Sequence, residues 1–462
     1  MEPTLTVVAY EKSGLAGNRS QFMVTPTLVE ETTPAKSTLE KRDLFAYRTL
    51  LFFAILYFAR PEDFVPGLEV IHIAKITGGL AVIALLFGLG SRPQTRRFPI
   101  ELRLMAALLF WECLATAFAW WKAGALNVIL DRSSKTLIVG VLVSMVVTTL
   151  PRLRKLMYVQ AGAVAAMTLV SVLLYRGEGR MGGVLGGVFD NPNDLAINIS
   201  LNWPLCLMFL LRTRSKLSKI LWGLGLLIMI RGLMLTFSRT GFLALGAAIL
   251  FCLIEFGVRQ KRFYLIGVTG ILVVGALFFT PAGYSARMSS IVGESDVGRD
   301  SQEERKELLN TSLRVTAHHP LLGIGPGNFE SFTRSWHVTH NTYTELTSEC
   351  GIPALIIFLL IVRAAFKKLK KVRKQPFYAD PEVRLIVGGL WASLPGYLVG
   401  AFFASTAYQL FPYFLVAYTT ALYNIGSVIP EQPSPPQKIA PPASKTKLQG
   451  MGARNYQLNV SR

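Results

Sequence analysis

Apolar residues in this chain come in long unbroken runs. Runs of about 18 or more residues match the ~30 Å hydrocarbon thickness of a bilayer at 1.5 Å of helical rise per residue. Twelve are read, roughly over 44–59, 70–90, 102–121, 125–150, 157–175, 194–211, 219–237, 240–257, 263–280, 344–366, 385–404 and 406–426. The pattern predicts an all-α polytopic integral membrane protein of about 12 transmembrane helices, with a transmembrane domain over 44–427. The flanks are different in kind. Residues 1–43 are polar and mixed in charge, with no apolar run behind a basic start, which reads as a loose tail without a cleavable signal peptide. Residues 428–462 carry Pro430, Pro433, Pro435, Pro436, Pro441 and Pro442 among lysines and cannot bury a core, so they read as a second disordered tail.

Composition agrees: 51% of residues are hydrophobic and 16% charged, and the mean hydropathy is +0.41, whereas soluble domains carry about a quarter charged residues. The net charge of +20 could point to nucleic acid, but its placement argues for membrane orientation instead. Segments 91–103, 151–155, 212–219, 259–262 and 367–374 hold 20 basic residues in 38 positions, whereas the alternate connections hold 11 in 94. The positive-inside rule then places the first set and both termini in the cytoplasm. Cys113, Cys206 and Cys252 fall inside apolar runs and Cys350 near the start of another, with no CxxC spacing, so neither a disulfide framework nor a zinc site is indicated. No repeat of 20 to 50 residues and no paired broken helices are visible, which counts against a transporter.

One outward connection is long, residues 281–343. It contains an amphipathic helix over 301–317, with Glu303 and Glu304 in the first turn and Leu308, Leu309 and Leu313 on one stripe. His318, His319, His337 and His340 lie in it. Along the chain the signals run Phe237-Ser238-Arg239-Thr240-Gly241-Phe242-Leu243, then Arg305, then His319-Pro320-Leu321-Leu322-Gly323-Ile324-Gly325-Pro326-Gly327-Asn328-Phe329, then His340-Asn341-Thr342-Tyr343 and Glu349-Cys350-Gly351.

In this order they resemble, over about 230–360, the signature domain of O-antigen ligases, O-antigen polymerases and related exopolysaccharide and protein O-glycosylation enzymes. Leu309 stands where that family often has Trp, and Pro353-Ala354 where it often has small residues including Gly, differences that bear on local packing. The resemblance implies a GT-C-like architecture in a bacterial inner membrane, and transfer or polymerisation of a glycan at the periplasmic face. The implied donor is a polyisoprenyl (undecaprenyl) pyrophosphate glycan, and the acceptor a hydroxyl of a glycan, lipid A core or protein. It implies no metal and no cofactor, with the bilayer and polysaccharide assembly proteins as partners.

The residues were also read by their own chemistry. Outward basic residues are nearly all arginine, whose fork binds phosphate oxygens bidentately. Arg239 sits at an outer helix junction, and Arg231 lies about eleven residues into the seventh run, where a charge is costly unless it faces a polar cavity. On one continuous helix the two would face within about 80° of each other and line one hollow. Arg180, in Gly179-Arg180-Met181-Gly182-Gly183, and Arg305 are further phosphate candidates. Asn193 reads either as part of a phosphate cradle or as a helix N-cap, and Gly323, Gly325 and Gly327 as tight-turn residues. His340, ahead of a membrane run and titrating near neutral pH, is the candidate general base; His337 is its main rival and Asn341 a substrate contact. His318 and His319 read as closing the loop helix, and Glu62-Asp63 as a turn. Catalysis is assigned to His340 and Arg239, and single displacement would invert the anomeric centre. Two rival readings are an anion transporter, for bicarbonate for example, which the folded external loop argues against, and a non-catalytic scaffold.

Overall fold

The computed structural model describes residues 34–63, 76–83, 98–177, 179–183, 191–278, 299–334 and 337–428. Most of both expected tails, most of the second apolar run, and residues 281–298 of the long connection lie outside the described residues. Among the described residues every regular element is helical and no strand occurs.

In chain order the helices are α1 (Pro34–Ala59), α2 (Ile100–Ala117), α3 (Lys122–Val128), α4 (Ser134–Val146), α5 (Leu150–Leu174), α6 (Pro192–Arg212), α7 (Lys216–Leu235), α8 (Arg239–Cys252), α9 (Tyr264–Phe278), α10 (Arg299–His318), α11 (Phe329–Thr333), α12 (Thr342–Val372), α13 (Pro381–Ala401) and α14 (Phe411–Val428). A π-turn over Ile129–Ser133 joins α3 to α4, and α8 runs on through a π segment, Leu253–Arg259. Among the described residues, six stretches are long and apolar enough to cross a membrane: α5, α6, α7, α8 with its π segment, α12 and α13, with Leu44–Ala59 a shorter apolar helix.

The boundaries depart from the sequence reading: α1 begins at Pro34, inside the segment expected to be a loose tail, and α12 runs on to Val372 through basic positions expected to be a connection. The fourth run is helical over 122–146, but Asp131, Arg132 and Lys135 interrupt it where the helix widens, and Lys135 pairs with Asp131 at 2.9 Å. Its successor starts at Leu150, because Thr149 caps it and accepts from the Arg152 N–H. Arg152, Arg154 and Lys155, read as a connecting loop, therefore sit in the first turns of α5. The last run begins at Phe411, and residues 402–410 are an irregular connection.

α6 is the centre of the bundle, buried almost continuously from Leu195 to Phe209. It packs against α5, α7, α8 and α13. The α6–α8–α13 contact is close because small residues face each other: a methyl at Gly241 would meet Ala196, and one at Gly396 would meet the Ala248 Cβ at 2.9 Å. Small residues let backbones approach where apolar surroundings offer no hydrophobic gain on helix pairing.

Buried polar pairs set helix register. Tyr418 O–H donates to Gln160 Oε1 at 2.6 Å, Gln160 Nε2 donates to Asn202 Oδ1 at 2.8 Å, and Asn202 Nδ2 donates to Asn198 O at 2.9 Å. At the basic end of the bundle Glu382 receives Arg154 and Arg212, each at 3.1 Å, and buried Glu255 receives Arg373 at 2.7 Å. The Arg373 guanidinium also lies over the Trp391 ring, 4.3 Å from its centroid.

Gln160→Ala strands the Tyr418 hydroxyl and one Asn202 acceptor in a dry interior, where a lost partner costs about 1–2 kcal/mol. Thermal unfolding in detergent should show a clear drop for Gln160→Ala. Lys135→Ala, which removes an exposed ion pair, should change stability by less than about 1 kcal/mol.

Candidate active site

The turn between α7 and α8 is built around one amide side chain. Phe237 adopts φ +49°, in the left-handed region, which ends α7 and redirects the chain. Ser238 then caps α8, its Oγ accepting from Gly241 N–H at 3.1 Å and donating to Asn193 Oδ1 at 2.8 Å. Arg180 donates to the same Asn193 oxygen at 2.8 Å and to the Thr236 carbonyl at 2.9 Å. Arg239 is thereby held as the first residue of α8, where the helix dipole favours an anion.

This turn overrides one expectation. Arg231 and Arg239 belong to different helices, so their facing cannot be computed along a single axis; Arg231 is exposed on α7 and does not line the cavity described below. The N-cap of α6 is Asn191, whose Oδ1 accepts from Asn193 N–H at 2.9 Å, which leaves Asn193 to serve the Arg180–Ser238 junction.

A second junction forms where the connection before α12 meets the one after α13. The Thr342 hydroxyl donates to the Ala404 carbonyl at 2.7 Å and accepts from Thr406 N–H at 3.0 Å. Thr339 and Ser405 hydroxyls meet at 2.9 Å, and Glu345 Oε2 accepts from Ala407 N–H at 3.1 Å. Asn341 caps α12, its Oδ1 accepting from Tyr343 and Thr344 at 2.9 and 3.1 Å. Between Thr339 and Asn341, His340 is held at φ +52°, a conformation rare for a residue with a side chain and maintained here by its pinned neighbours.

The two junctions and α10 enclose one cavity of about 380 Å³. α8 contributes Arg239, Thr240 and Leu243, α10 contributes Arg305, Lys306 and Leu309, and Thr339, His340 and Asn341 form a further wall. Phe402 and Phe403 complete it, their rings edge to face at 5.1 Å. The structure thus brings Arg239, Arg305, His340 and Asn341 together. His337 stands outside, exposed and facing Glu304 at 3.2 Å. Arg180 stands behind the wall, close enough for its charge to act on His340. His318 closes α10 through its own Arg314 carbonyl at 2.8 Å, and His319 packs edge-on against Phe332. The phenylalanine pair and Lys306 were not singled out from sequence: the two aromatics lie at the end of an apolar run, with nothing local to mark them.

Burial, followed by the positive charges of Arg305, His337 and Arg180, lowers the His340 pKa from the ordinary 6.5 to about 4. This replaces the expectation of titration near neutrality. The imidazole is neutral across the physiological range and able to accept a proton, but a proton taken there would sit among cations.

The glycine-rich segment has a different task from the cavity. Glu349 accepts from Gly327 N–H at 2.7 Å, Phe329 N–H at 3.1 Å and Tyr408 O–H at 2.7 Å. Its carboxylate thus occupies the amides a phosphate would need, and the segment is a tight turn clasped to α12. Gly351, at φ +82°, breaks α12 there, and a methyl group on it would strike the Leu321 carbonyl. Pro61–Asp63 is a short 3₁₀ turn, with Arg60 paired to Glu62 at 3.0 Å. Among the described residues, no group of three or more His, Cys, Asp or Glu side chains is arranged to hold a metal ion.

Residues 224–359 match the family model described as O-antigen ligase, a stretch that contains Arg239, Arg305, His340 and the Glu349 clasp. No curated protein matches the chain. Among solved structures, a chain of one described as "Structural coordination of polymerization and crosslinking by a peptidoglycan synthase complex" is similar at 15% identity with a TM-score of 0.42, over 70% of this chain and 95% of that one, too distant a likeness to identify a shared fold.

Because the folded imidazole titrates near 4 and a free one near 6.5, this group's contribution to stability is complete above about 6.5 and falls as pH drops toward 4. A ¹H–¹⁵N NMR titration of the purified protein should find the His340 imidazole, assigned by its absence in His340→Gln, protonating near 4.

Proposed function

We propose, with the O-antigen ligase match over residues 224–359 as the premise, that this protein is a membrane glycosyltransferase acting on a polyisoprenyl pyrophosphate-linked glycan. The observation that carries the reading is that Arg239, at the start of α8, and His340, ahead of α12, line one cavity with Arg305. Three features of that cavity suit the chemistry. The α8 N-terminus, Arg239, Arg305 and Lys306 supply positive charge for a pyrophosphate. Leu243, Leu309, Phe402 and Phe403 give an apolar wall for the first isoprene units or a sugar face. His340 is a neutral proton acceptor at the same opening.

In the proposed reaction an acceptor hydroxyl oxygen attacks the anomeric carbon, the bond from that carbon to the pyrophosphate oxygen breaks, and His340 takes the hydroxyl proton. The leaving pyrophosphate keeps the electron pair and its charge is stabilised by the guanidiniums, so no protonated leaving group is needed. A single displacement inverts the anomeric centre. Arg180 acts by holding the α7–α8 turn through Asn193, and Asn341 by fixing the backbone beside His340. The low pKa of the empty site fits a base that strengthens on demand: pyrophosphate beside Arg305 offsets the charge that opposes protonation of His340. We further propose twelve spans over 44–427, residues 281–343 on the periplasmic side, both tails cytoplasmic, and an inner-membrane location, on the strength of the asymmetry in basic residues.

Purified protein given lipid-linked donor and acceptor should transfer glycan, and His340→Ala and Arg239→Ala should each lower the rate at least about 100-fold with unfolding temperature preserved. Wild-type turnover by His340→Ala, or donor-independent anion uptake into proteoliposomes without any transfer, would overturn the assignment. The acid limb of kcat/KM, which reports the free protein, should fall near pH 4, and that of kcat, which reports the donor complex, should lie higher.

A further inference from the structure

A second cavity, of about 450 Å³, opens between α6, α7, the π segment after α8, and α9. It lies further along α8 from the candidate active site: Leu243 lines the first cavity and Ile249, Cys252 and Leu253 line the second, so about 9–15 Å of helix separates their walls. Its lining is almost entirely apolar, with Leu207, Gly223, Leu253 and Leu265 among the walls and Lys219 the one charged residue in it.

One donor at this cavity lacks a partner. Trp203 lines it at 5% exposure, and its indole N–H has no hydrogen-bond acceptor. A buried donor left unpaired costs about 1–3 kcal/mol, and a bound oxygen acceptor removes that cost. The mouth is basic: segments 212–219 and 259–262 hold Arg212, Arg214, Lys216, Lys219, Arg259, Lys261 and Arg262, of which Arg212 and Arg259 pair with Glu382 and Glu255.

We infer that this cavity is a binding site for one anionic glycerophospholipid, with its acyl chains between α6, α7 and α9 and its phosphate at Lys219. The spacing fits such a ligand. Trp203 lies nine residues into α6 from Arg212, and Lys219 three residues into α7 from Lys216. The indole is therefore about 9 Å deeper than the lysine, at the level of the ester carbonyls of a lipid whose phosphate meets the lysine. An acyl ester supplies the missing acceptor to Trp203, and the phosphate supplies the counter-charge to Lys219. The inference rests on the membrane reading of the chain and stands whether or not the glycosyl-transfer reading does.

The test uses the full chain, delipidated in detergent and incubated with phosphatidylglycerol, with phosphatidylcholine of the same acyl chains, with a polyisoprenyl phosphate, or with inorganic phosphate, and read by native mass spectrometry. One phosphatidylglycerol per chain should be retained at least tenfold over phosphatidylcholine, with no adduct from inorganic phosphate. A Cβ added at Gly223 meets nothing within 4 Å, so Gly223→Leu projects into the cavity it lines and should lower retention at least tenfold at unchanged unfolding temperature. Lys219→Glu, a surface change, should abolish the preference for phosphatidylglycerol. Equal retention of both phospholipids, retention undisturbed by Gly223→Leu, or preferential capture of the polyisoprenyl phosphate would each overturn the inference.

Discussion

The Thr342 hydroxyl is the interaction on which the site geometry depends. It donates to the Ala404 carbonyl and accepts from Thr406 N–H, so a single buried oxygen ties the start of α12 to the connection following α13. That connection is irregular backbone between two apolar helices, where water cannot complete its hydrogen bonds and side chains must do so. Thr339, Glu345 and Tyr343 add bonds across the same seam. With the seam closed, Phe402 and Phe403 face His340; without it, they would be two more apolar residues at the end of a membrane helix.

Asn193 does the corresponding work at the other wall. Its side-chain oxygen accepts from both Arg180 and Ser238, which joins the segment before α6, the turn after α7 and the cap of α8. An arginine reaching such a junction need not touch a ligand to matter, and Arg180 differs in this from Arg239 and Arg305. The two walls meet at the cavity, where the Thr240 hydroxyl of α8 donates to the Phe403 carbonyl at 3.3 Å.

The Glu349 clasp shows how one carboxylate can decide the role of a whole segment. Three glycines spaced at every second residue resemble a phosphate cradle, yet the amides of Gly327 and Phe329 point at Glu349, and the carboxylate is further held by Tyr408. The segment becomes a brace between the loop helix and α12. Positive charge at the cavity comes instead from Arg239 and the α8 N-terminus and from Arg305 and Lys306 of α10.

By itself the sequence determined the helical class, the apolar stretches from α5 to α8, the loop helix over 299–318, and the short motifs that contain Arg239, Arg305, His340 and Asn341. Those properties are local: apolar run length, dipole-favoured acids and an ordered set of polar residues are written along the chain. Only the tertiary structure decided that Arg231 turns away while Arg239 faces the cavity, because a left-handed Phe237 breaks the helix between them. It likewise decided that His340 titrates near 4 and that Phe402 and Phe403 share its wall. Desolvation, neighbouring charge and the meeting of segments sixty residues apart depend on distances through space, and no spacing along the chain encodes them.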